Sequence, residues 1–488
     1  MVVDARDEVE RMNDLEALMW AVEVDPHLSS TFANITLLDR PPDLDHLWER
    51  MWRASRVVPR LRRCVVGGAG PSNPHWEDDP TFDLANHLSQ VSLAHGATHL
   101  DAYQLAADLS VEPLDRDHPL WHFTIVEGLP GGRAAMVQRM HHTITDGEGG
   151  IRMSVEYIDL AREAPCPDHV DDGPPPRHDR DLRARRTEPA PGSGLIERVV
   201  DPLSSTVEAV GGLMRRGTDT AGNMAGTVVG LARDPAHLGS SLVGLPSEVM
   251  ATVRSAGRQL AVIDRQRSPC WTARSFERSL HTFDVPLLEV KEAAARLGGT
   301  VNDLFVTAAA GGAGAHHRSR GFEVSELRMA MPVSTRTSGA DTSGGNAFTP
   351  TRVLVPTDPD PVARFRSIHE RLSVTKHERA NEYTAALAGV ATLAPRSLLA
   401  RLARQQVASV DFTTSNLRAA PFDLYIAGAL MEANYPLGPL AGTAWNLTTM
   451  SYRGSLNLGL LVDKAAVEDP EGLAADIEAS FEELLALD

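Results

Sequence analysis

A long interruption near the middle of the chain restricts the fold more than any other stretch. Residues 165–194 read PCPDHVDDGPPPRHDRDLRARRTEPAPGSG, which is dense in Pro, Asp and Arg and nearly lacks large apolar residues. Such a composition cannot build a packed core and is typical of a linker or a mobile surface crossover. The chain has 488 residues, and a single core stops growing at about 250–300 residues. The sequence therefore predicts two folded domains.

The expected division follows this interruption. Short strand-like and helical runs predict an N-terminal α+β domain over residues 1–165 and a C-terminal α+β domain over 263–488. Between them, residues 166–262 form a Pro- and charge-rich linker and then a helical crossover interrupted by Gly and Ser. Its diluted apolar pattern fits either a cover over the domain junction or a helix resting on a membrane surface.

Composition excludes several classes of protein. A net charge of −18 gives no electrostatic attraction to nucleic acid, whose binding depends on Lys and Arg. The three cysteines Cys64, Cys166 and Cys270 form no CxxC pair, so neither a disulfide framework nor a zinc ribbon is indicated. The acidic N-terminus does not resemble a signal peptide, and no window of eighteen apolar residues is present. We expect a cytoplasmic protein that meets lipid, if at all, from the surface of the inner membrane or of a lipid inclusion.

The clearest local signal is a hairpin in the first half. LWHFTIVEGLPGGRAAMVQRMHH contains two β-like runs joined by a Leu-Pro-Gly-Gly turn, and its second run ends in His141 and His142. The stretch after the glycines, IRMSVEYIDLARE, has helical periodicity. The sequence HHTITDGEGG therefore lies in a loop between a strand and a helix, where functional residues are often held by rigid neighbours.

Patterns in the second half predict a similar mixture of elements. FDVPLLEVKEAAARLGGTVNDLFVTAAAGGAGAHH indicates a strand, a helix, a Gly-Gly stop and an Ala-rich buried helix opened by Asn302 and Asp303. RMAMPVSTR and FTPTRVLVPT indicate strands, NLTTMSYRGSLNLGLLVD indicates a hairpin, and the last 20 or so residues indicate an amphipathic helix.

An arginine-rich stretch also needs an interpretation. LDHLWERMWRASRVVPRLRRCVV predicts an amphipathic helix followed by a short strand. Its arginines Arg56, Arg60, Arg62 and Arg63 either face a phosphate or form a solvated helix face, and the solvated face is favoured.

The adjacent histidines favour acid-base chemistry over metal binding. Neighbouring residues of a strand point to opposite faces, so His141 and His142 do not easily share one ion, and no metal site is expected. One imidazole facing a cleft can take a proton from an alcohol at cellular pH. Asp146 can fix the loop, and Gly147 permits close approach of a substrate. The alternative, two core histidines before a turn, is more common for a bare His-His pair.

Other sequence signals point away from alternative chemistries. The chain contains no GxSxG nucleophile elbow, no P-loop and no dinucleotide-binding GxGxxG fingerprint. A second pair, His316-His317, lacks the downstream Asp-Gly and lies at the end of the Ala-rich helix. We expect it to be polar surface at a helix C-terminus.

The string His141-His142-Thr143-Ile144-Thr145-Asp146-Gly147 resembles the HHxxxDG signature of the CoA-dependent acyltransferase superfamily. Its flanks, which include Pro119-Leu120-Trp121, resemble the bacterial wax ester synthase/diacylglycerol acyltransferase family. Further blocks agree in order: NDLEALMW, VPRLRR, TVNDLFVTAAAGG, MPVSTR, GGNAFTPTRVLVPT, TSNLRAAPFDLYIAGA, YPLGPL and WNLTTMSYRGSLNLGLLVD. The resemblance covers both predicted domains and fails mainly across residues 165–262.

The resemblance implies a fold, a reaction and site residues. It implies two chloramphenicol-acetyltransferase-like α+β domains with the active site at their interface. His142 would be the general base, Asp146 would be structural, and Asn302 would polarise the thioester carbonyl or hold the oxyanion. The implied catalytic set is His141, His142, Asp146, Gly147, Asn302 and Asp303, and Pro119, Leu120 and Trp121 are the implied substrate-binding residues. For Asn302 and Asp303 the alternative is a helix N-cap, and both roles can coexist.

The implied activity is transfer of a long-chain acyl group from acyl-CoA to a lipid hydroxyl, giving triacylglycerol from diacylglycerol or a wax ester from a fatty alcohol. Acyl-CoA would be a co-substrate, and no resident cofactor is expected. Two departures from the family pattern, at Asn13-Asp14-Leu15-Glu16 and Leu417-Arg418-Ala419-Ala420-Pro421, concern the acceptor side. They leave two alternatives open: transfer to another hydroxyl acceptor such as a glycolipid or polyketide, or acyl-lipid binding without turnover.

Overall fold

The computed structural model describes residues 10–67, 73–165, 266–334, 348–378 and 396–487. The predicted linker and crossover at 166–262 therefore lie outside the described residues. The α-helices of the described residues are α1 (Asp14–Val22), α2 (Leu44–Val57), α3 (His99–Val111), α4 (Gly147–Ser154), α5 (Leu287–Arg296), α6 (Val301–Ser319), α7 (Pro361–Glu378), α8 (Arg396–Val407) and α9 (Pro470–Leu485).

The strands of the same residues begin with β1 (Thr31–Leu38), β2 (Arg63–Val66), β3 (His75–Asp78), β4 (Leu88–Ser92), β5 (Trp121–Glu127), β6 (Ala134–His141) and β7 (Arg278–Pro286). They continue with β8 (Glu326–Ser334), β9 (Phe348–Pro356), β10 (Phe412–Arg418), β11 (Tyr425–Ile426), β12 (Ala429–Leu437), β13 (Trp445–Tyr452) and β14 (Ser455–Asp463).

The strands assemble into two large sheets. The N-terminal sheet has the order β11-β12-β1-β6-β5-β4, and the C-terminal sheet has the order β7-β14-β13-β10-β8-β9. Strands β2 and β3 form a separate small hairpin. Helices pack against both sheets, which confirms the predicted α+β class with two sheet-containing domains.

The two sheets do not divide the chain at a single point. Strand β12, from the C-terminal half, pairs antiparallel with β1 and brings Tyr435 opposite Ile35. It also passes so close to β14 that a Cβ on Gly459 would lie 2.1 Å from the Pro436 carbonyl oxygen. Only glycine fits this approach. Strand β12 therefore belongs to the predicted domain 263–488 by sequence but pairs in the sheet of the predicted domain 1–165.

The predicted N-terminal hairpin is confirmed. Strands β5 and β6 pair antiparallel, with Ile125 opposite Met136. Gly131 and Gly132 in the connecting turn have φ angles of 74° and 73°, which other residues seldom adopt. The helix predicted after the glycines begins earlier and ends sooner than expected, because Asp146 caps it and α4 covers only Gly147–Ser154.

Two apolar layers fix the position of β1 in the centre of the N-terminal sheet. Ala33, Ile35 and Leu37 pack on one face with α3 residues such as Ala106. Phe32 packs on the other face with the core that contains Met140 and Tyr157. Strand alternation thus divides the sheet into an α3 face and an opposite face. We call the opposite face, marked by Phe32, Asn34 and Thr36, the Phe32 face.

The C-terminal half also follows its predicted pattern. Helix α6 lies at the centre of this core, where Phe305 and Ala309 are fully buried against residues of α7 and α9 such as Phe365 and Phe481. The predicted strands, the helix pair around the Gly-Gly stop, the β13–β14 hairpin and the last helix are all confirmed. None of the helices in the described segments is long and apolar enough to cross a membrane.

Candidate active site

The two histidines of HHxxxDG point in different directions at the end of β6. The ring of His141 meets the edge of the Trp20 ring at a centroid distance of 6.1 Å. The ring of His142 lies against Phe32 at 4.6 Å, on the other face of the sheet. Within the described segments, no group of three or more His, Cys, Asp or Glu residues is arranged to hold a metal ion.

The hydrogen bonds of His141 fix the state of its ring. The backbone N–H of Thr143 donates to His141 Nδ1 over 3.1 Å. A ring nitrogen that accepts a backbone N–H carries no proton, so the neutral ring is protonated at Nε2. Nε2 lies 2.8 Å from Oε1 of Glu23, and the ring is 2% exposed. His141 is therefore a buried, oriented residue that has no access to a cleft.

His142 has the properties of a neutral base. Its backbone N–H donates to the Ser30 carbonyl over 3.1 Å, and its side chain is only partly enclosed. Burial lowers the pKa of His142 to about 4, and the proximity of His141 acts in the same direction, although Asp146 acts in the opposite direction. The imidazole is consequently unprotonated at neutral pH and can accept a proton.

Asp146 and Gly147 shape the turn after the histidines. The Asp146 side chain caps α4 by accepting the Gly149 N–H over 2.7 Å. A Cβ on Gly147 would lie 2.8 Å from Cδ2 of Leu417, a residue of β10. The start of α4 therefore packs directly on the C-terminal sheet, and the absence of a side chain at 147 allows this contact.

Arg60 corrects the interpretation of the arginine-rich stretch. Instead of belonging to a solvated face, Arg60 is 8% exposed. Its guanidinium donates over 2.8 Å to Glu16, to Glu10 and to the Thr143 carbonyl. A further bond of 3.3 Å reaches the Ile144 carbonyl. Arg60 thus ties the loop that follows His142 to the N-terminal helix.

The other arginines of this stretch pair within the protein. Arg63 donates to Asp78 and Glu10 over 2.8 Å, and the Arg56 guanidinium lies 4.2 Å above the Trp52 ring. These contacts do not form the phosphate site that was the alternative interpretation.

The Pro119-Leu120-Trp121 element lies in the core. Leu120 and Trp121 are each 1% exposed, the Trp121 indole donates to the Leu61 carbonyl over 2.8 Å, and the His141 N–H donates to the Leu120 carbonyl over 3.0 Å. Substrate binding by these side chains stays a prediction, and the contacts found here are structural. They link the end of β6 to the turn that carries Arg60.

The structure separates the roles of Asn302 and Asp303. The N-cap of α6 is Thr300, and the buried Asp303 carboxylate accepts from the Thr300 N–H over 2.8 Å and lies 2.9 Å from His369 Nδ1. Asp303 thus stabilises the helix start, and neither residue is the N-cap. Asn302 is partly accessible, and its Oδ1 lies 3.4 Å from Nδ2 of Asn416.

A chain of contacts brings Asn302 towards the histidine loop. Asn302 meets Asn416 on β10, and the next residue of that strand, Leu417, packs on Gly147. Asn302 and the histidine loop therefore both contact β10, at adjacent residues whose side chains alternate between the two faces of that strand.

The second histidine pair contradicts its predicted surface position. His316 and His317 are 1% and 0% exposed. His317 Nδ1 lies 2.7 Å from the Ala313 carbonyl and Nε2 lies 2.8 Å from Ser268 Oγ. The pair is buried because the segment around Ser268 and Trp271 folds over the end of α6.

Sequence reasoning missed the two acidic residues that support the site from α1. Glu16 is fully buried and reaches Arg60, and Glu23 reaches His141. The Asn13-x-x-Glu16 spacing is a capping-box signal, and both of its hydrogen bonds are present. No local signal identifies Glu23, because its contact is with a residue far along the chain.

Comparison with known proteins agrees with this geometry. Residues 12–305 match the model of the wax ester synthase/diacylglycerol acyltransferase catalytic domain, and residues 344–485 match that of the WS/DGAT C-terminal domain. A putative diacylglycerol O-acyltransferase of Mycobacterium tuberculosis is 31% identical over 484 residues, which cover 98% of this chain and 92% of that protein. The probable diacylglycerol O-acyltransferase tgs1 of the same species is 26% identical over 498 residues, with coverages of 98% and 96%.

Solved structures show the same fold. The wax ester synthase/diacylglycerol acyltransferase from Marinobacter aquaeolei VT8 superposes with a TM-score of 0.61 at 16% identity, covering 97% of this chain and 98% of that one. The first condensation domain of the CDA synthetase gives a TM-score of 0.54 at 14% identity, with coverages of 98% and 96%. These likenesses confirm the predicted chloramphenicol-acetyltransferase-like architecture.

Proposed function

The chain belongs to the wax ester synthase/diacylglycerol acyltransferase family, and we propose that it transfers a long-chain acyl group from acyl-CoA to the hydroxyl group of a lipid, with His142 as the general base. Family membership makes it an acyltransferase with an acyl donor and a lipid acceptor. The observation that carries the proposed role of His142 is its position. The imidazole of His142 is unprotonated at neutral pH, its side chain is partly accessible, and its loop is held rigidly where α4 packs on the C-terminal sheet.

The Phe32 face gives an acceptor room to approach this base. In β1, every side chain from Ala33 to Leu38 is buried except that of Asn34. Strand β1 lies inside its sheet, between β12 and β6. The partial exposure of Asn34 on the Phe32 face supports an approach of the acceptor from this side of the sheet.

The reaction follows from these groups. The acceptor oxygen attacks the thioester carbonyl carbon while His142 takes the hydroxyl proton. A tetrahedral oxyanion forms, the carbon–sulfur bond breaks, and the imidazolium returns its proton to the departing thiolate, so that an ester and CoA are released. No acyl-enzyme is required, which is consistent with the lack of a nucleophile elbow.

Asn302 is the proposed partner of the oxyanion. The contact with Asn416 Nδ2 engages Oδ1 of Asn302. It does not use the Nδ2 donors of Asn302, which can therefore be directed at an oxyanion. A donor aimed at the developing oxyanion contributes about 3–4 kcal/mol to catalysis. With His142 from the first half of the chain and Asn302 from the second, the proposed site draws on both halves.

The substrates determine where the enzyme works. Acyl-CoA is proposed as a co-substrate, and the steps above need no resident cofactor. A long-chain acceptor is held in a membrane or a lipid inclusion, so we propose peripheral contact with such a surface from the cytoplasmic side. A diacylglycerol or a fatty alcohol is the proposed acceptor.

The test is an acceptor screen. Purified protein receives palmitoyl-CoA with hexadecanol, diacylglycerol, a glycolipid or no acceptor, and CoA release is followed by thiol titration while lipid products are separated. We expect ester formation with hexadecanol or diacylglycerol, its loss in His142→Ala, and its retention in His95→Ala, which changes an exposed histidine.

Other outcomes select the alternatives. Transfer to the glycolipid without transfer to hexadecanol or diacylglycerol would replace the proposed acceptor. Acyl-lipid binding that survives His142→Ala, with no product from any acceptor, would make the chain a binding protein and overturn the proposed reaction.

A further inference from the structure

Glu23 is the C-cap residue of α1, and its carboxylate contacts the first histidine of the pair. Its Oε1 lies 2.8 Å from Nε2 of His141, and its side chain is 12% exposed. Since Thr143 occupies Nδ1 of the same ring, both ring nitrogens of His141 have a defined partner. The His141 ring is therefore held from both sides.

The same carboxylate oxygen also acts on His142. The Ser30 N–H donates to Glu23 Oε1, and the Ser30 carbonyl accepts the His142 N–H over 3.1 Å. One oxygen atom thus contacts the side chain of the first histidine and, through the backbone of Ser30, is linked to the backbone of the second. The contact closes a loop between the end of α1, the start of β1 and the end of β6.

The surroundings keep Glu23 charged. Burial acts to raise its pKa, but the contact with His141, the Ser30 N–H and the charge of Arg116 together hold the pKa of Glu23 below its ordinary value. Arg116 itself is fixed above the Trp20 ring at 3.3 Å. The carboxylate is therefore available to accept both bonds at neutral pH.

We propose that Glu23 is a positioning residue for acyl transfer, which holds the His141 ring and the His142 backbone in the arrangement that aims the His142 imidazole at the acceptor hydroxyl. The inference rests on the proposed function, because it assigns Glu23 a part in that reaction. Glu23 does not contact the substrate. Its effect is transmitted through His141 and Ser30.

Positioning predicts a specific kinetic effect. A displacement of about 1 Å at a reacting group costs about 100-fold in rate, and the loss of a residue that orients a functional histidine costs about 10–100-fold in known metal sites. Because neither substrate touches Glu23, substrate affinity should change little. A residue that only stabilised the fold would instead alter the unfolding midpoint and leave kcat per folded molecule unchanged.

The decisive variant is Glu23→Gln, which keeps the shape but replaces the carboxylate by a neutral amide, so that the contacts with His141 and Ser30 lose their ionic partner and about half of their strength. The matched control is Glu112→Gln, whose carboxylate lies 3.5 Å from Arg139, a residue of β6 that points away from His142. Both are compared with the wild type in CoA release, with the acceptor that the wild type uses, and in thermal unfolding. We expect Glu23→Gln to lower kcat about 10–100-fold with KM for palmitoyl-CoA unchanged, and Glu112→Gln to retain wild-type kcat.

Wild-type kcat in a folded Glu23→Gln protein, or a loss confined to KM, would overturn the inference. Should Glu23→Gln not purify in folded form, Glu23→Asp decides. The shorter carboxylate cannot keep both bonds, so its kcat should also fall, and undiminished kcat would overturn the inference.

The activity of the wild type distinguishes a failure of the proposed function from a failure of the positioning role of Glu23. If no acceptor supports transfer, that function fails, and the histidine ring-nitrogen shifts of 15N-labelled protein still test Glu23. We then expect a Nε2-protonated His141 in the wild type and a changed signal in Glu23→Gln, and identical spectra would overturn the positioning role.

Discussion

The two His-His pairs of this chain have the same sequence but differ in backbone structure and in the exposure of their rings. His141-His142 ends a strand, so its rings separate to two faces, one towards Trp20 and the other towards Phe32. His316-His317 lies in the last turn of a helix, and both rings are enclosed. The dipeptide alone therefore does not determine function. The backbone that carries it determines which ring can meet a substrate.

A depressed pKa does not separate the pairs either. Burial lowers the pKa of His142 to about 4, and burial also lowers the pKa of His316 to about 4. What differs is access. His142 is partly accessible, whereas His316 is 1% exposed. A neutral histidine becomes a candidate base only where a hydroxyl group can approach it.

The strongest test of this contrast replaces one histidine of each pair by an apolar residue. We expect His142→Ala to lower kcat by about 10²–10⁴-fold, because a positioned acid-base group contributes this much. His317→Leu should leave kcat per folded molecule close to that of the wild type, since its ring faces Ser268. Steady-state CoA release, corrected for the folded fraction, measures both. Equal losses in the two variants would remove the distinction between the pairs.

Asn302 gives a second test, because it is proposed to stabilise the oxyanion of the reaction in which His142 is the base. Removing one oxyanion donor costs about 10²–10³-fold in kcat, and we expect Asn302→Ala to show such a loss with KM little changed. Asn416→Ala, which removes only the neighbour that orients Asn302, should lose less. Single-turnover acyl transfer measures this order. A larger loss in Asn416→Ala would assign the oxyanion to Asn416.

Local patterns were sufficient for the elements that carry the site. The Leu-Pro-Gly-Gly turn and the alternating runs around it predicted the β5–β6 hairpin and hence the position of His142. The Gly-Gly stop at Gly298 and Gly299 predicted where α5 ends, and Gly298 has a φ of 79°. These signals succeed because turn geometry and strand alternation depend on neighbouring residues.

The missed features depend on contacts between distant segments. The local pattern predicts a solvated Arg60, but its buried guanidinium binds Glu16 and the Thr143 carbonyl. The local pattern predicts His316 and His317 at the surface end of a helix, but Ser268 and its neighbours cover them. No local sequence pattern predicts that β12, from the C-terminal half, pairs in the N-terminal sheet. Tertiary packing decides burial in each case, and periodicity reports only the face that a residue occupies.

The buried pair should prove structural. His317→Leu removes the contacts of its ring with Ser268 Oγ and the Ala313 carbonyl, and the loss of buried hydrogen bonds of this kind costs about 1–3 kcal/mol. We expect the free energy of unfolding to fall by that amount. Urea unfolding followed by tryptophan fluorescence reports it, because Trp271 packs on His317. The control His95→Leu, at an exposed site, should change stability by less than about 0.5 kcal/mol.

The smallest expected effect concerns pH and distinguishes access from protonation. With its pKa lowered to about 4, His142 should stay unprotonated at pH 5.5, so that kcat/KM there remains near its value at pH 7. An ordinary histidine of pKa about 6.5 would lose about tenfold in its neutral form over this interval.

Stability has to be followed in parallel, since both pairs contain a group that titrates lower in the folded state. The unfolded chain takes up more protons than the folded chain between pH 6.5 and about 4, so acidification through this window favours unfolding. Above pH 6.5 the full stability is present. A profile of kcat/KM against pH, with intrinsic fluorescence recorded at each point, separates the two effects. An acid limb centred near pH 6.5 in protein that is still folded would mean that water reaches His142 freely, and the base would then differ from the buried pair in its protonation as well as in its access.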